Sequence, residues 1–85
     1  MIKEKEEILF FSAPWCGPCG QVKKMLSESD LSDLDVKVVD ISDESNMELV
    51  VENNVLNVPT FVKTVGGKEV SRKIGSVTIA DLKNL

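Results

Sequence analysis

Glu7–Ser12 reads EILFFS, a continuous apolar run with charge before it and Pro14 just after it. A run without polar alternation is a strand covered on both faces rather than one half open to water. The elements that follow must therefore supply cover for two sides of a sheet. Gly17 to about Ser29 reads as a helix with Pro18 in its first turn, where a missing N–H costs little. Cys19, Val22, Met25 and Leu26 fall on one face of that helix, and Lys23, Lys24 and Glu28 turn outward.

Asp30–Asp35 is polar and loop-like, and Val36–Ile41 (VKVVDI) supplies a second strand. Ser45 and Glu48 have capping-box spacing, which opens a second helix. Met47, Val50 and Val51 form its inner face, and it ends near Asn53–Asn54. A strand, a helix and a strand in this order make a parallel, right-handed crossover. Thr60–Val65 and Lys68–Ile74 are strand-like runs joined by Gly66–Gly67, a pair that tolerates positive φ at both hairpin positions. Thr78–Leu85 closes the chain as a short helix with Ile79 and Leu82 inward. The expected fold class is α/β. It is a minimal β-α-β-α-β-β-α core with a four-stranded mixed sheet and helices on both faces.

Eighty-five residues make a single domain, 1–85. The balance of 42% hydrophobic and 28% charged residues is that of a globular chain rather than a disordered one. The longest apolar run is too short to cross a bilayer, and Lys3 and Lys5 precede no signal-peptide core. The expected location is the cytoplasm, with no membrane partner. A net charge of −4, with basic residues clustered no further than pairs, argues against a nucleic-acid partner. The chain has no histidine, which removes Cys–His nucleophile pairs, imidazole metal sites and the usual general base. Thiols and carboxylates must carry whatever chemistry there is.

The only two cysteines lie in Trp15-Cys16-Gly17-Pro18-Cys19, at the junction of the first strand and first helix. Two thiolates are half a tetrahedral zinc shell, and no second CxxC or histidine completes it within one chain. A structural disulfide over so small a loop would contribute only about 2 kcal/mol, against about 4.7 for a hundred-residue loop. A redox pair fits the position. Unpaired N–H groups and the macrodipole at a helix N-terminus favour an anion, so the Cys16 thiol is depressed and its thiolate is the nucleophile. Cys19, one turn later on the inward face, resolves the mixed disulfide by attacking the Cys16 sulfur.

With Ala13-Pro14 ahead of it, this motif resembles the active-site loop of the thioredoxin family. Val58-Pro59-Thr60, forty residues after Cys19, matches the place where the family carries a cis-proline facing the dithiol. Gly75, sixteen residues after Pro59, falls where the family has a glycine flanking the substrate groove. The likeness runs from about Glu7 to the C-terminus and implies a thioredoxin-like fold without the first strand and helix of full-length members. It also implies substrate contacts from Trp15, Gly17, Pro18, Val58, Pro59, Thr60 and Gly75. Trp15 can equally be read as a core anchor.

The resemblance implies a protein disulfide reductase with no bound cofactor or metal, recharged from NADPH by a thioredoxin reductase. Disulfide-containing proteins would be its substrates and a monomer its working form. A glutaredoxin-like, glutathione-dependent enzyme and a thioredoxin-fold binding subunit with incidental redox activity are the alternatives. An oxidant or isomerase is a further one, disfavoured by the Gly17-Pro18 dipeptide. Gly66–Gly67 sits in the hairpin and is not a glutathione-binding pair. Three departures from the family stand out. Phe10 stands where many members bury an Asp that assists proton transfer to the resolving cysteine. Lys24 replaces a helix-kinking proline, and Gly20 replaces a frequent lysine. What deprotonates Cys19 is left open by the sequence.

Overall fold

The computed structural model describes residues 5–32 and 34–85. Its centre is β1 (Glu6–Ser12), which pairs in parallel with β2 (Val36–Asp40) and antiparallel with β3 (Thr60–Val65). β4 (Lys68–Ile74) adds antiparallel to β3, giving the order β2-β1-β3-β4. Because strand side chains alternate, β1 feeds two cores. Ile8 and Phe10 join Phe61 on one face, and Leu9 and Phe11 join Val39 and Val62 on the other. The apolar run is thus covered on both sides, as its lack of alternation requires.

The first core is closed by Cys19 and Val22 of α1 (Gly17–Glu28) and Leu82 of α3 (Ile79–Lys83). Met25 and Leu26 pack against it from the same helix face. Leu49 and Val50 of α2 (Met47–Glu52) pack against the second core. The hairpin forms where Gly66 and Gly67 permit it, with φ of 60° and 83°. Ile41 lies past the end of β2, yet its N–H still donates to the Ser12 carbonyl at 2.9 Å. Thr78 caps α3 in a reciprocal box with Asp81. Leu82 is buried there and Ile79 half-buried.

The second helix begins differently from the capping-box reading. Asp43, not Ser45, caps the turn that precedes it: its carboxylate accepts the Ser45 amide at 3.0 Å and the Ser45 hydroxyl at 2.7 Å, while Asn46 is the N-cap of the helix itself and makes no side-chain cap bond. A 3₁₀ turn, Glu44–Asn46, then leads into α2. A carboxylate that accepts both donors outcompetes a serine hydroxyl, which must itself be satisfied. In the helix that follows, Leu49 and Val50 face inward, while Met47 and Val51, expected on the inner face, are exposed.

Candidate active site

β1 ends at Ser12, and Ala13–Trp15 turn the chain so that Cys16 becomes the N-cap of α1. The Cys16 amide closes this turn on the Ala13 carbonyl at 3.1 Å. Pro18 occupies the first helical turn, where its fixed φ suits the helix and its missing N–H orphans nothing. The Cys16 backbone is extended, and its Sγ accepts the Cys19 amide at 3.2 Å. Sulfur here takes the place that an oxygen holds in an ordinary cap. A donor aimed at Sγ, with the positive end of α1 behind it, favours a thiolate over a thiol once the pair is reduced.

Cys16 and Cys19 are joined as a disulfide, with Cα atoms 5.3 Å apart. Their exposures differ: Cys16 keeps 9% of its surface, and Cys19 none. An approaching group therefore meets Cys16 first. Cys19 sits among Ile8, Phe10, Ala13, Val22, Phe61, Val77 and Leu82.

The other residues singled out by the sequence divide into three groups. Trp15 is 71% exposed, so the indole is a surface feature and not a core anchor. It lines one groove with Val58, and Gly17 and Pro18 are exposed at the start of α1. The Val58–Pro59 bond is cis, and Pro59 is buried with its carbonyl accepting the Gly75 amide at 2.9 Å. Gly75 holds φ of 99°, a conformation that suits glycine. Thr60 differs from the rest. It is buried, and its hydroxyl donates to the Asn57 carbonyl at 2.6 Å, so its side chain braces the loop instead of facing solvent.

The thioredoxin family model matches residues 1–85. The chain belongs to the thioredoxin family. Among curated relatives, the thioredoxin of Griffithsia pacifica is 31% identical over 87 residues, covering 99% of this chain and 79% of the relative. The Bacillus subtilis thioredoxin is 35% identical over 66 residues, 76% of this chain and 64% of its own length. For some other relatives the chain spans about three fifths of their length. The thioredoxin structure from Fasciola hepatica superposes with a TM-score of 0.81 at 28% identity, over 96% of this chain and 78% of that one. The Trypanosoma brucei brucei thioredoxin gives 0.74 at 28% identity, over 87% and 66%.

A thioredoxin-family chain with a bonded CxxC pair at the strand–helix junction is a dithiol–disulfide oxidoreductase of the thioredoxin type. Its redox-active group is that disulfide, and membership of the family implies disulfide-containing substrates and a reductase partner in general terms. Among the described residues no helix is long and apolar enough to cross a membrane. Sequence reasoning missed Leu56, Ile41 and Val55, which share the groove with Trp15 and Val58. Only its position between the second helix and Pro59 could have drawn notice to Leu56. Ser12 was missed as well: it is fully buried, and its hydroxyl finds no hydrogen-bonding group among the described residues.

Proposed function

We propose that this chain is a reductant of protein disulfides, with Cys16 as attacking and Cys19 as resolving thiol. The observation that supports this reading most directly is the asymmetry of the pair. One sulfur caps a helix at the solvent boundary and accepts an amide hydrogen, and the other is sealed in the core. The Cys16 thiolate attacks one sulfur of the substrate disulfide, forming a mixed disulfide and expelling the first substrate thiolate. Cys19 gives up its proton and attacks the Cys16 sulfur, expelling the second substrate thiolate and closing the protein's own disulfide. Two electrons pass from the protein to the substrate. A thioredoxin reductase drawing on NADPH returns them.

Trp15, Gly17, Pro18, Val58, Pro59 and Gly75 form the contact surface for the substrate chain. Thr60 acts at one remove, by bracing the loop that carries Val58. An extended substrate segment would pair with the backbone at Val58 in strand fashion. A reductant of this kind belongs in a reducing compartment, the cytoplasm, and needs no second copy to work.

The test is the reduction potential together with two variants. Equilibration in graded glutathione buffers at pH 7 should give a value near or below about −250 mV, as for thioredoxins at about −270. Cys16→Ser should abolish reduction of insulin disulfides, and Cys19→Ser should accumulate a covalent mixed disulfide with the substrate. A potential near −200 mV or above would move the chain to glutaredoxin-like or oxidising work and overturn the assignment.

A further inference from the structure

Ser12 is the last residue of β1, and its side chain is fully buried. Its backbone is held on the β2 side, where the carbonyl accepts the Ile41 amide at 2.9 Å and the residue stands opposite Asp40. The hydroxyl, by contrast, meets no hydrogen-bonding group among the described residues. A hydroxyl so placed gives up its bonds to water and receives nothing in exchange. Ser71 of β4 has the same deficiency, but β3 lies between its strand and β1. What distinguishes Ser12 is the chemistry beside it.

Strand alternation puts the Ser12 side chain on the face of Ile8 and Phe10, which pack in the core with Cys19. Cys19, Val22, Met25 and Leu26 of α1 all pack on this face, so the helix runs back over the strand that leads into it. The end of β1 therefore lies level with the first turn of α1, and Cys19 is in that turn. Two bonds keep the link between them short. The Cys16 amide donates to the Ala13 carbonyl at 3.1 Å, and the Cys19 amide donates to Cys16 Sγ at 3.2 Å. While the disulfide is closed, the Cys19 sulfur is uncharged and a weak acceptor. Once it is a thiolate it is a strong one, and a hydroxyl hydrogen rotates freely to meet it.

We propose that the Ser12 hydroxyl is a catalytic hydrogen-bond donor, which stabilises the Cys19 thiolate while the Cys16 mixed disulfide is resolved. The proposal rests on the reading of Cys19 as resolving thiol and adds a group to that step. The Cys19 S–H gives its proton to water or hydroxide, and the thiolate accepts the Ser12 O–H. It then attacks the Cys16 sulfur; the Cys16–Cys19 bond forms, the Cys16–substrate bond breaks, and the substrate sulfur leaves with the electron pair. Ser12 neither gains nor loses a proton. Closing the disulfide removes its acceptor, which is the unpaired state seen here. A donor that makes the thiolate about tenfold more abundant also blunts its nucleophilicity about threefold, so the net gain is about threefold.

The experiment has two readouts on the full chain. In the Cys16→Ser background, the ultraviolet absorbance of the Cys19 thiolate is titrated with and without Ser12→Ala. The alanine should leave about tenfold less thiolate at any pH below the midpoint. With Cys16 present, the reduced chain is mixed with the disulfide of thionitrobenzoate, which releases one coloured thiolate on attack by Cys16 and a second on resolution by Cys19. Ser12→Ala should slow the second release about threefold from about pH 6 to 8 and leave the first within about twofold. Ser12→Thr should resolve faster than its isostere Ser12→Val, because only the threonine keeps the hydroxyl. Ser71→Ala should match the parent in both releases. A parent-like titration or second release in Ser12→Ala, or equal slowing of both releases, would overturn the proposal and leave the reductase reading intact. A parent chain with no second release would overturn Cys19 as resolving thiol, and the proposal with it.

Discussion

Phe10 stacks on Phe61 with ring centroids 4.6 Å apart and planes 13° from parallel, and both rings lie fully buried in the cluster that holds Cys19. A carboxylate at Phe10 would have offered a base for the resolving thiol. The stack offers none, and apolar surroundings disfavour a thiolate. With Phe at this position, the expected route for the Cys19 proton is to water or hydroxide. Decay of a preformed Cys16 mixed disulfide, followed by stopped flow, should accelerate about tenfold per pH unit from pH 6 to 8. A plateau or a bell within that range would show an internal base and refute this account. Phe10→Asp should flatten the profile near neutrality and cost at least about 3 kcal/mol of stability, through the lost aromatic packing and a buried carboxyl.

Gly20 and Gly75 should respond to alanine with opposite signs. A Cβ at Gly20 meets nothing within 4 Å and lies inside α1, so Gly20→Ala should add about 0.5–1 kcal/mol. Space is equally open at Gly75, but its φ of 99° is one that L side chains rarely adopt. Gly75→Ala should therefore cost about 1–2 kcal/mol of backbone energy. In a chain of this size, about 1 kcal/mol moves the thermal midpoint by roughly 4–8 °C. Two shifts of the same sign would mean that backbone conformation does not govern these sites.

The strands were legible because their signals are local. The Gly66–Gly67 pair fixed the hairpin, and both flanking strands run over the expected residues, Thr60–Val65 and Lys68–Ile74. The unalternating apolar stretch around Ile8–Phe11 likewise announced a central strand. α2 was less legible, since a six-residue helix presents whichever face its first turn dictates. A 3₁₀ turn capped by Asp43 precedes it, and Met47 and Val51 end on the exposed side. The dithiol and Pro59 were visible as motifs. Leu56 was not, because an apolar residue after a helix reads as core until its neighbours are seen to be held elsewhere.

Ser12 is fully buried on β1, and its hydroxyl meets no hydrogen-bonding group among the described residues. Strand alternation puts the side chain on the same face as Ile8 and Phe10, toward α1. An unpaired buried hydroxyl costs about 1–3 kcal/mol of desolvation, and alanine removes it while leaving little empty space. Ser12→Ala should raise the thermal midpoint of the oxidised protein by roughly 4–8 °C, equivalent to about 1 kcal/mol. A lowered midpoint would show that the hydroxyl is in fact satisfied.

Acid should unfold the oxidised protein through a small set of hydrogen-bonded carboxylates. The Ser32 amide holds Asp30 below the usual range, and the Ser42 hydroxyl and amide hold Asp40 there. The Arg72 guanidinium does the same for Glu69, and the Thr78 amide for Asp81. Each group binds a proton less readily folded than unfolded, so its contribution is complete above the ordinary carboxylate range. That contribution is lost as pH falls through the lowered folded values. With no histidine in the chain, little else titrates between pH 5 and 8. Urea midpoints should be level from about pH 6 to 8 and fall below about pH 4.5. Glu69 and Arg72 form a doubly bonded pair at 2.6 and 2.7 Å, yet both are partly exposed, so its worth is at most about 1 kcal/mol. Glu69→Gln combined with Asp81→Asn should lower stability at pH 7 and flatten the acid limb. An acid limb as steep as the parent's would locate the pH dependence in other groups.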